Sequence, residues 1–141
     1  MKTLISILIL GFLLNGCATF KEPSEAEINA QAATAYNEVK AKSKMSTNKE
    51  WTAMVQRVSQ RIASASGENF KWEYVLIESP EVNAWCMPGG KMAVYTGLMK
   101  VVKTEGALAA VMGHEVAHAT LRHGKEGYAR AIKSNTAGLI V

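Results

Sequence analysis

The sequence predicts an α+β domain that is mostly helical and has a small antiparallel β-sheet or hairpin. Three segments carry apolar residues at helical spacing behind capping residues, and one segment alternates in polarity ahead of a Gly-Gly turn. With 141 residues and 48% hydrophobic content, the chain is long enough for one domain with a core. The net charge of +4 comes from scattered Lys and Arg, so the sequence shows no nucleic-acid footprint.

Two helices are predicted in the first half of the chain. Ser24 and Glu27 form a capping box that begins the first helix, whose Ala-rich face should lie on the domain rather than form its core. Thr47 and Glu50 form a second capping box, and Gly67 is the predicted stop of that helix. The apolar stripe of the second helix is predicted to be core: Trp51, Met54, Val55, Val58 and Ile62.

The middle of the chain predicts strands. Residues 70–76 alternate as in a strand with one buried face, and Ser79-Pro80 ends that strand. Residues 83–87 and 91–96 are two further predicted strands, joined through a Pro-Gly-Gly turn as a hairpin. Gly97 breaks the strand pattern, and residues 98–102 should begin a short helix or turn.

The helix predicted after Thr104 carries an H-E-x-x-H motif at residues 114–118 and should end near Gly124. Residues four apart on a helix lie about 40° apart around the axis and roughly 6 Å apart along it, so His114 and His118 can reach one metal ion. Glu115 is then placed as a general base for water bound to that metal. The alternative is two surface histidines flanking a Glu on a solvated helix.

A catalytic zinc site uses three protein ligands, so a third donor is required. On a straight helix His123 points away from the metal, which leaves it as a C-terminal His that favours the helix dipole or as a gate or supporting residue near the site. Glu126 lies too far along the helix to reach the same ion. Three upstream acids could contribute if the fold brings them in: Glu78, Glu81 and Glu105.

Residues 1–16 are predicted to be a lipoprotein signal peptide. The apolar run at 4–14 follows Lys2 and is too short to span a membrane. Residues 14–17 (L-N-G-C) resemble a bacterial lipobox, which predicts acylation of Cys17 and a stable membrane anchor. By resemblance to lipoprotein sorting, Ala18 suggests the outer membrane, facing the periplasm. An ordinary signal cleaved near Ala18 and an uncleaved anchor are the alternatives.

The sequence has two cysteines, Cys17 and Cys86. If Cys17 is acylated, Cys86 has no partner within the chain. It is then either a small packed side chain or a thiol that pairs with another protein in an oxidising compartment.

Two segments resemble one family. Residues 83–98 (NAWCMPGGKMAVYTGL) and 105–124, with AAVMGHEVAH and a trailing RHG, resemble the strand segment and the metal-binding helix of HtpX-like and CAAX-prenyl-protease-like zinc metallopeptidases, peptidase family M48. A lipobox before such a domain resembles the family's outer-membrane lipoproteins. The resemblance implies a zincin-like peptidase domain beginning at residue 47, after a segment 17–46 that holds the lipidated Cys, a tether and the first helix.

The resemblance also implies roles. His114 and His118 would bind one Zn²⁺, and Glu115 would activate the water. An extended substrate could add as a strand beside the cleft, which favours unfolded or misassembled envelope proteins as substrates. The strand residues concerned are Asn83, Ala84, Trp85 and Cys86.

The chain departs from the family in one respect. The family's third zinc ligand is a Glu on a later helix, followed by an Asp, whereas this sequence has no Asp and no Glu after Glu126. We therefore expect a truncated domain, incomplete at its C-terminus; the rival is a short protein that is inactive or completed by a partner.

The predicted function is a lipid-anchored zinc metalloendopeptidase of the bacterial envelope. The alternative is a non-catalytic, chaperone-like or partner-completed binding lipoprotein. Substrate specificity and oligomeric state stay open.

Overall fold

Four helices and three strands follow one another in residues 22–121, the part of the chain that this computed structural model describes. In chain order they are α1 (Glu25–Lys42), α2 (Lys49–Ala65), β1 (Glu73–Ile77), β2 (Ala84–Met87), β3 (Lys91–Tyr95), α3 (Thr96–Val101) and α4 (Glu105–Thr120). The predicted α+β class is confirmed. The predictions for Cys17, His123 and Glu126 lie outside the described residues. Within residues 22–121, no helix is both long and apolar enough to cross a bilayer.

The helix starts test the capping predictions. The Ser24 box is confirmed, because the Glu27 carboxylate accepts from the Ser24 N–H at 2.7 Å and the Ser24 hydroxyl accepts from the Glu27 N–H at 3.3 Å. The second box is wrong. The cap of α2 is Asn48, whose side chain accepts the Trp51 N–H at 3.0 Å. Asn caps at least as well as Thr, and residues 44–46 are held in extended conformation by pairing with the end of β1.

The three strands form one sheet in the order β1-β3-β2. The predicted hairpin is confirmed, since β2 pairs antiparallel with β3 and the turn glycines Gly89 and Gly90 have φ of 74° and 78°. β1 pairs parallel with β3, so the sheet is mixed rather than wholly antiparallel. β3 has residues 92–94 all buried and takes the central position, where both of its edges are paired.

The start of β1 also differs from the prediction. The strand begins at Glu73 rather than at residue 70, and its first ladder bond runs from the Glu73 N–H to the Gly90 carbonyl at 3.0 Å. Phe70 and Trp72 instead pack on each other at 5.4 Å between ring centroids. A Cβ at Gly90 would overlap the Trp72 ring. The aromatic pair can therefore pack directly against the backbone of the hairpin turn only because residue 90 is a glycine.

The two edges of the sheet differ in their hydrogen bonding within residues 22–121. At the β1 edge, the Ser46 N–H donates to the Leu76 carbonyl at 2.9 Å and the Glu78 N–H donates to the Lys44 carbonyl at 2.8 Å. At the other edge, β2 has no further strand beside it within residues 22–121. An unpaired edge of this kind presents backbone groups that can bind another chain.

Different helices cover the two faces of the sheet. The first face packs against α2 and α4, and the predicted α2 stripe belongs to this core cluster. Its strand residues are Tyr74, Leu76, Ala84, Cys86, Met92 and Val94. Because side chains alternate along strands, Trp85, Lys91 and Ala93 belong to the second face. As predicted, α1 lies outside the main core cluster, yet it buries Ile28, Ala32 and Tyr36.

A buried lysine joins the strands on the second face. Lys91 is 4% exposed, and its ammonium donates to the Lys71 carbonyl and to Glu73 Oε1, the latter at 2.8 Å. Glu73 Oε2 accepts from Lys40 of α1 at 3.0 Å. The hydrogen bond from Lys91, followed by the one from Lys40, lowers the pKa of Glu73. A carboxylate with a lowered folded-state pKa stabilises the fold above its unfolded pKa, and this contribution is lost as pH falls through the folded value.

Glu73→Gln should therefore lower the free energy of unfolding at neutral pH. We expect a loss of about 2 kcal/mol at pH 7, below the value for a fully buried pair because the Glu73 side chain is partly exposed, and a smaller loss at pH 3. Urea unfolding at both pH values measures this. Glu78→Gln, which breaks the exposed pair with Lys44, is the control and should cost under about 1 kcal/mol. Equal losses in the two variants would contradict the special role of Lys91.

Candidate metal centre

The H-E-x-x-H residues lie on α4, which is anchored at its start. The Thr104 hydroxyl accepts the Ala107 N–H at 3.1 Å, which confirms the predicted cap. Glu105 in the first turn pairs with Arg57 of α2, with 2.6 Å between Oε1 and Nη2. The buried stripe of α4 comprises Leu108, Met112 and Val116, at spacings of four residues. These contacts fix the rotation of α4 about its axis.

That rotation places both motif histidines in solvent. His114 and His118 each follow a buried residue by two positions, about 200° around the axis, and both are exposed. Their Nε2 atoms approach to 3.0 Å, with the rings 4.5 Å apart between centroids and inclined at 87°. The two nitrogens thus converge on one point above the helix.

This convergence fits a zinc ion. Two nitrogen ligands at tetrahedral angles and usual Zn–N distances are roughly 3.3 Å apart, close to the 3.0 Å between the two Nε2 atoms. Imidazole nitrogen is also a donor type that zinc prefers. Residues 22–121 contain no group of three potential ligands. Glu78 and Glu105 are instead paired with Lys44 and Arg57.

Glu115 faces another direction than the histidines. It lies about 100° around the axis from His114, closer to the buried stripe, and is half-buried. α4 packs against β2. Burial, with a further contribution from the Glu115 charge, raises the pKa of the Cys86 thiol to about 12. The thiol therefore stays protonated, which favours the interpretation of Cys86 as a packed side chain.

The four predicted substrate-strand residues do not share one face. Ala84 and Cys86 pack into the core beside α4, whereas Trp85 points to the second face, with its Nε1–H donating to Tyr95 Oη at 3.2 Å. Asn83 precedes β2, and its carbonyl accepts the Tyr95 N–H at 3.0 Å. What the four have in common is the backbone at the β2 edge. The alternation of strand side chains was the sequence signal that separates Trp85 from its neighbours.

Comparison with known families decides the relationship. The model described as Peptidase family M48 matches residues 45–140, more than half of the 141-residue chain. The chain belongs to peptidase family M48. The M48 match covers α2 to α4 with the whole sheet and the H-E-x-x-H motif, whereas α1 precedes it.

Individual M48 relatives are proteases by name. Mitochondrial metalloendopeptidase OMA1 of Schizosaccharomyces pombe is 43% identical over 84 residues, which are 57% of this chain and 25% of that protein. Metalloprotease LoiP of Escherichia coli is 30% identical over 131 residues, 89% of this chain and 50% of LoiP. The β-barrel assembly-enhancing protease of E. coli is 32% identical over 73 residues, 51% of this chain and 15% of that protein. The chain thus spans half or less of the length of these relatives.

Proposed function

We propose that the protein is a zinc-dependent metalloendopeptidase. The observation that carries the proposal is the 3.0 Å approach of His114 Nε2 and His118 Nε2, with Glu115 between them in sequence and half-buried on the helix that packs against β2. Membership of peptidase family M48 and the names of the metalloprotease relatives support the same activity.

In the proposed peptide hydrolysis, the metal and the protein side chains have different roles. His114 and His118 would supply two ligands to the zinc, together with a donor that is not among residues 22–121. When bound, the ion would polarise the scissile carbonyl and make water a better nucleophile at neutral pH. Glu115 accepts the proton of the attacking water and returns it to the leaving amine, as a general base and then a general acid.

The preferred substrate is an extended, unfolded polypeptide. The β1 edge of the sheet is occupied by residues 44–46, whereas the β2 edge beside α4 lacks a partner strand within residues 22–121. A peptide added there is recognised through its backbone, which every unfolded chain offers. Specificity would then depend on a lack of structure in the substrate more than on a fixed sequence.

The protein's place would be the bacterial cell envelope, as an HtpX-like lipoprotein. The lipobox-like residues 14–17 support acylation at Cys17, and Ala18 supports the outer membrane, facing the periplasm. The name of the β-barrel assembly-enhancing protease, a relative over 73 residues, is in keeping with misassembled envelope proteins as substrates.

Metal removal tests this function. In protein expressed from the complete gene, a chelator should abolish cleavage of an unfolded, fluorescently labelled protein, and one equivalent of Zn²⁺ should restore it. His114→Ala and His118→Ala should each weaken zinc binding by more than about 100-fold, because loss of groups that merely support a ligand already costs 10- to 100-fold.

The control is Glu105→Gln on the same helix, which should keep its zinc because Glu105 pairs with Arg57 and lies nine residues from His114. Cleavage that persists in metal-free protein would refute the proposal. Substrate binding without cleavage, unchanged by the chelator, would instead favour the chaperone-like alternative.

A further inference from the structure

Tyr36 of α1 is fully buried against the second face of the sheet. It is 0% exposed, and its hydroxyl donates to the Met92 carbonyl of β3 at 3.2 Å. Burial, with a smaller contribution from the Glu73 charge, raises the pKa of the Tyr36 phenol. The hydroxyl therefore stays protonated and keeps its role as a donor to the central strand.

The Tyr36 ring also contacts β2. It meets the Trp85 ring edge to face, with centroids 6.0 Å apart and planes at 86°. Trp85 is also held by the bond from its Nε1–H to Tyr95 Oη at 3.2 Å. Trp85 is thereby held between α1 and β3.

The contact depends on a defined position of α1. Ala93 pairs directly with Trp85 across the hairpin and is 1% exposed, and its small side chain leaves room above β3 for an aromatic ring. One turn after Tyr36, Lys40 pairs with Glu73 at 3.0 Å, and its ammonium lies 4.8 Å from the centre of the Tyr36 ring. Two successive turns of α1 thus contact the two outer strands of the sheet: Tyr36 contacts β2 and Lys40 contacts β1.

The contact on the second face supports β2, which is paired on one edge only within residues 22–121. Its inner edge is paired with β3 and its first face packs against α4, but its outer edge has no partner strand within residues 22–121. β2 has four residues and one ladder, and an added peptide must align several backbone groups with it at once.

We infer that Tyr36 is a positioning residue for substrate binding: through its edge-to-face contact with Trp85 it holds β2 in the orientation that an added substrate strand requires. The inference rests on the proposed function. It gives α1, which precedes the M48 match, a role in substrate affinity rather than in metal binding.

The test compares variants of protein from the complete gene. Tyr36→Leu removes the ring contact and should raise KM for an unfolded substrate about five- to tenfold, the size expected for the loss of one aromatic pair. Its kcat should stay within about twofold of the parent value and its zinc content should not change, since the centre on α4 is untouched. Tyr36→Phe keeps the ring and should restore a nearly normal KM.

Ile28→Ala is the matched control on the same helix. Ile28 is also buried, but it lies eight residues earlier, about 12 Å along the axis from the Tyr36–Trp85 contact. It should lose stability without a change in KM. If Tyr36→Leu does not fold, Tyr36→Met replaces it, because a flexible Met fills such a site while still lacking the ring.

Equal KM values for the Tyr36→Leu and Ile28→Ala variants would overturn the inference, as would a fall in kcat or zinc content at unchanged KM. A second measurement separates this result from failure of the proposed function. Binding of a labelled unfolded peptide, followed by fluorescence anisotropy in the Glu115→Gln background, should weaken by the same factor in Tyr36→Leu. This binding assay decides the inference even if the parent protein cleaves nothing.

Discussion

Glu115→Gln is expected to abolish peptide cleavage while leaving the zinc content unchanged. The amide has the shape of the carboxylate but cannot accept the proton of the attacking water. The proposed zinc ligands His114 and His118, whose Nε2 atoms converge to 3.0 Å, are untouched. General acid–base catalysis contributes about 10²- to 10⁴-fold, so kcat should fall by at least two orders of magnitude.

The measurement combines kcat on an unfolded substrate with metal analysis of the same sample. The matched control is Glu105→Gln, ten residues earlier on α4, which removes a charge paired with Arg57 far from the histidines. It should reduce stability modestly and leave kcat intact. Full activity in Glu115→Gln, or an equal loss of activity in both variants, would remove Glu115 from the mechanism.

Gly97→Ala is expected to destabilise the fold by about 4 kcal/mol or more, in the range reserved for severe overpacking. A Cβ at Gly97 would overlap the backbone carbonyls of Pro80 and Glu81. Relief by backbone movement is blocked, because the Gly97 N–H donates to the Ser79 carbonyl at 2.8 Å. The Ser79 backbone is held a second time by Thr96, whose hydroxyl donates to the same carbonyl at 2.9 Å.

Urea unfolding of Gly97→Ala against Gly106→Ala measures this effect. A Cβ at Gly106 enters open space within α4, so that variant should be stabilised by about 0.5–1 kcal/mol through helix propensity. Unfolding free energies within 1 kcal/mol of the parent for both would contradict the close approach. Because residues 79–83 lead directly into β2, a displaced Gly97 should also weaken substrate binding by the proposed mode.

Local features of this fold could be predicted from short stretches of sequence. The Ser24 capping box, the Thr104 cap, the α2 stripe and the Gly-Gly hairpin are confirmed. Each depends on residues within a few positions of one another, so neighbouring side chains and backbone groups decide the outcome. The exception at α2 has a distant cause, since residues 44–46 pair with β1 and Asn48 takes the capping position.

In the candidate site, too, some features could be predicted from local spacing and others depend on tertiary packing. H-E-x-x-H spacing on a helix was enough to predict that His114 and His118 share a face and converge, because helix geometry relates residues four apart. Spacing could not show that the charge of Glu115 acts on the Cys86 thiol, or that Trp85 lies on the other face of the sheet from Cys86. Both depend on which face of β2 packs against α4, and therefore on contacts between elements remote in sequence.

The amino-acid sequence was thus sufficient for the class of fold, the helix starts at Ser24 and Thr104, the hairpin and the convergence of His114 with His118, all of which follow from short-range geometry. The folded molecule alone revealed the parallel pairing of β1, the covered β1 edge, the β2 edge that has no partner strand within residues 22–121, and the burial of Tyr36 against Trp85. These features bring together residues up to 56 positions apart, as in the bond from Tyr36 to Met92. Such pairings are chosen by the burial of whole faces, a property that no local pattern contains.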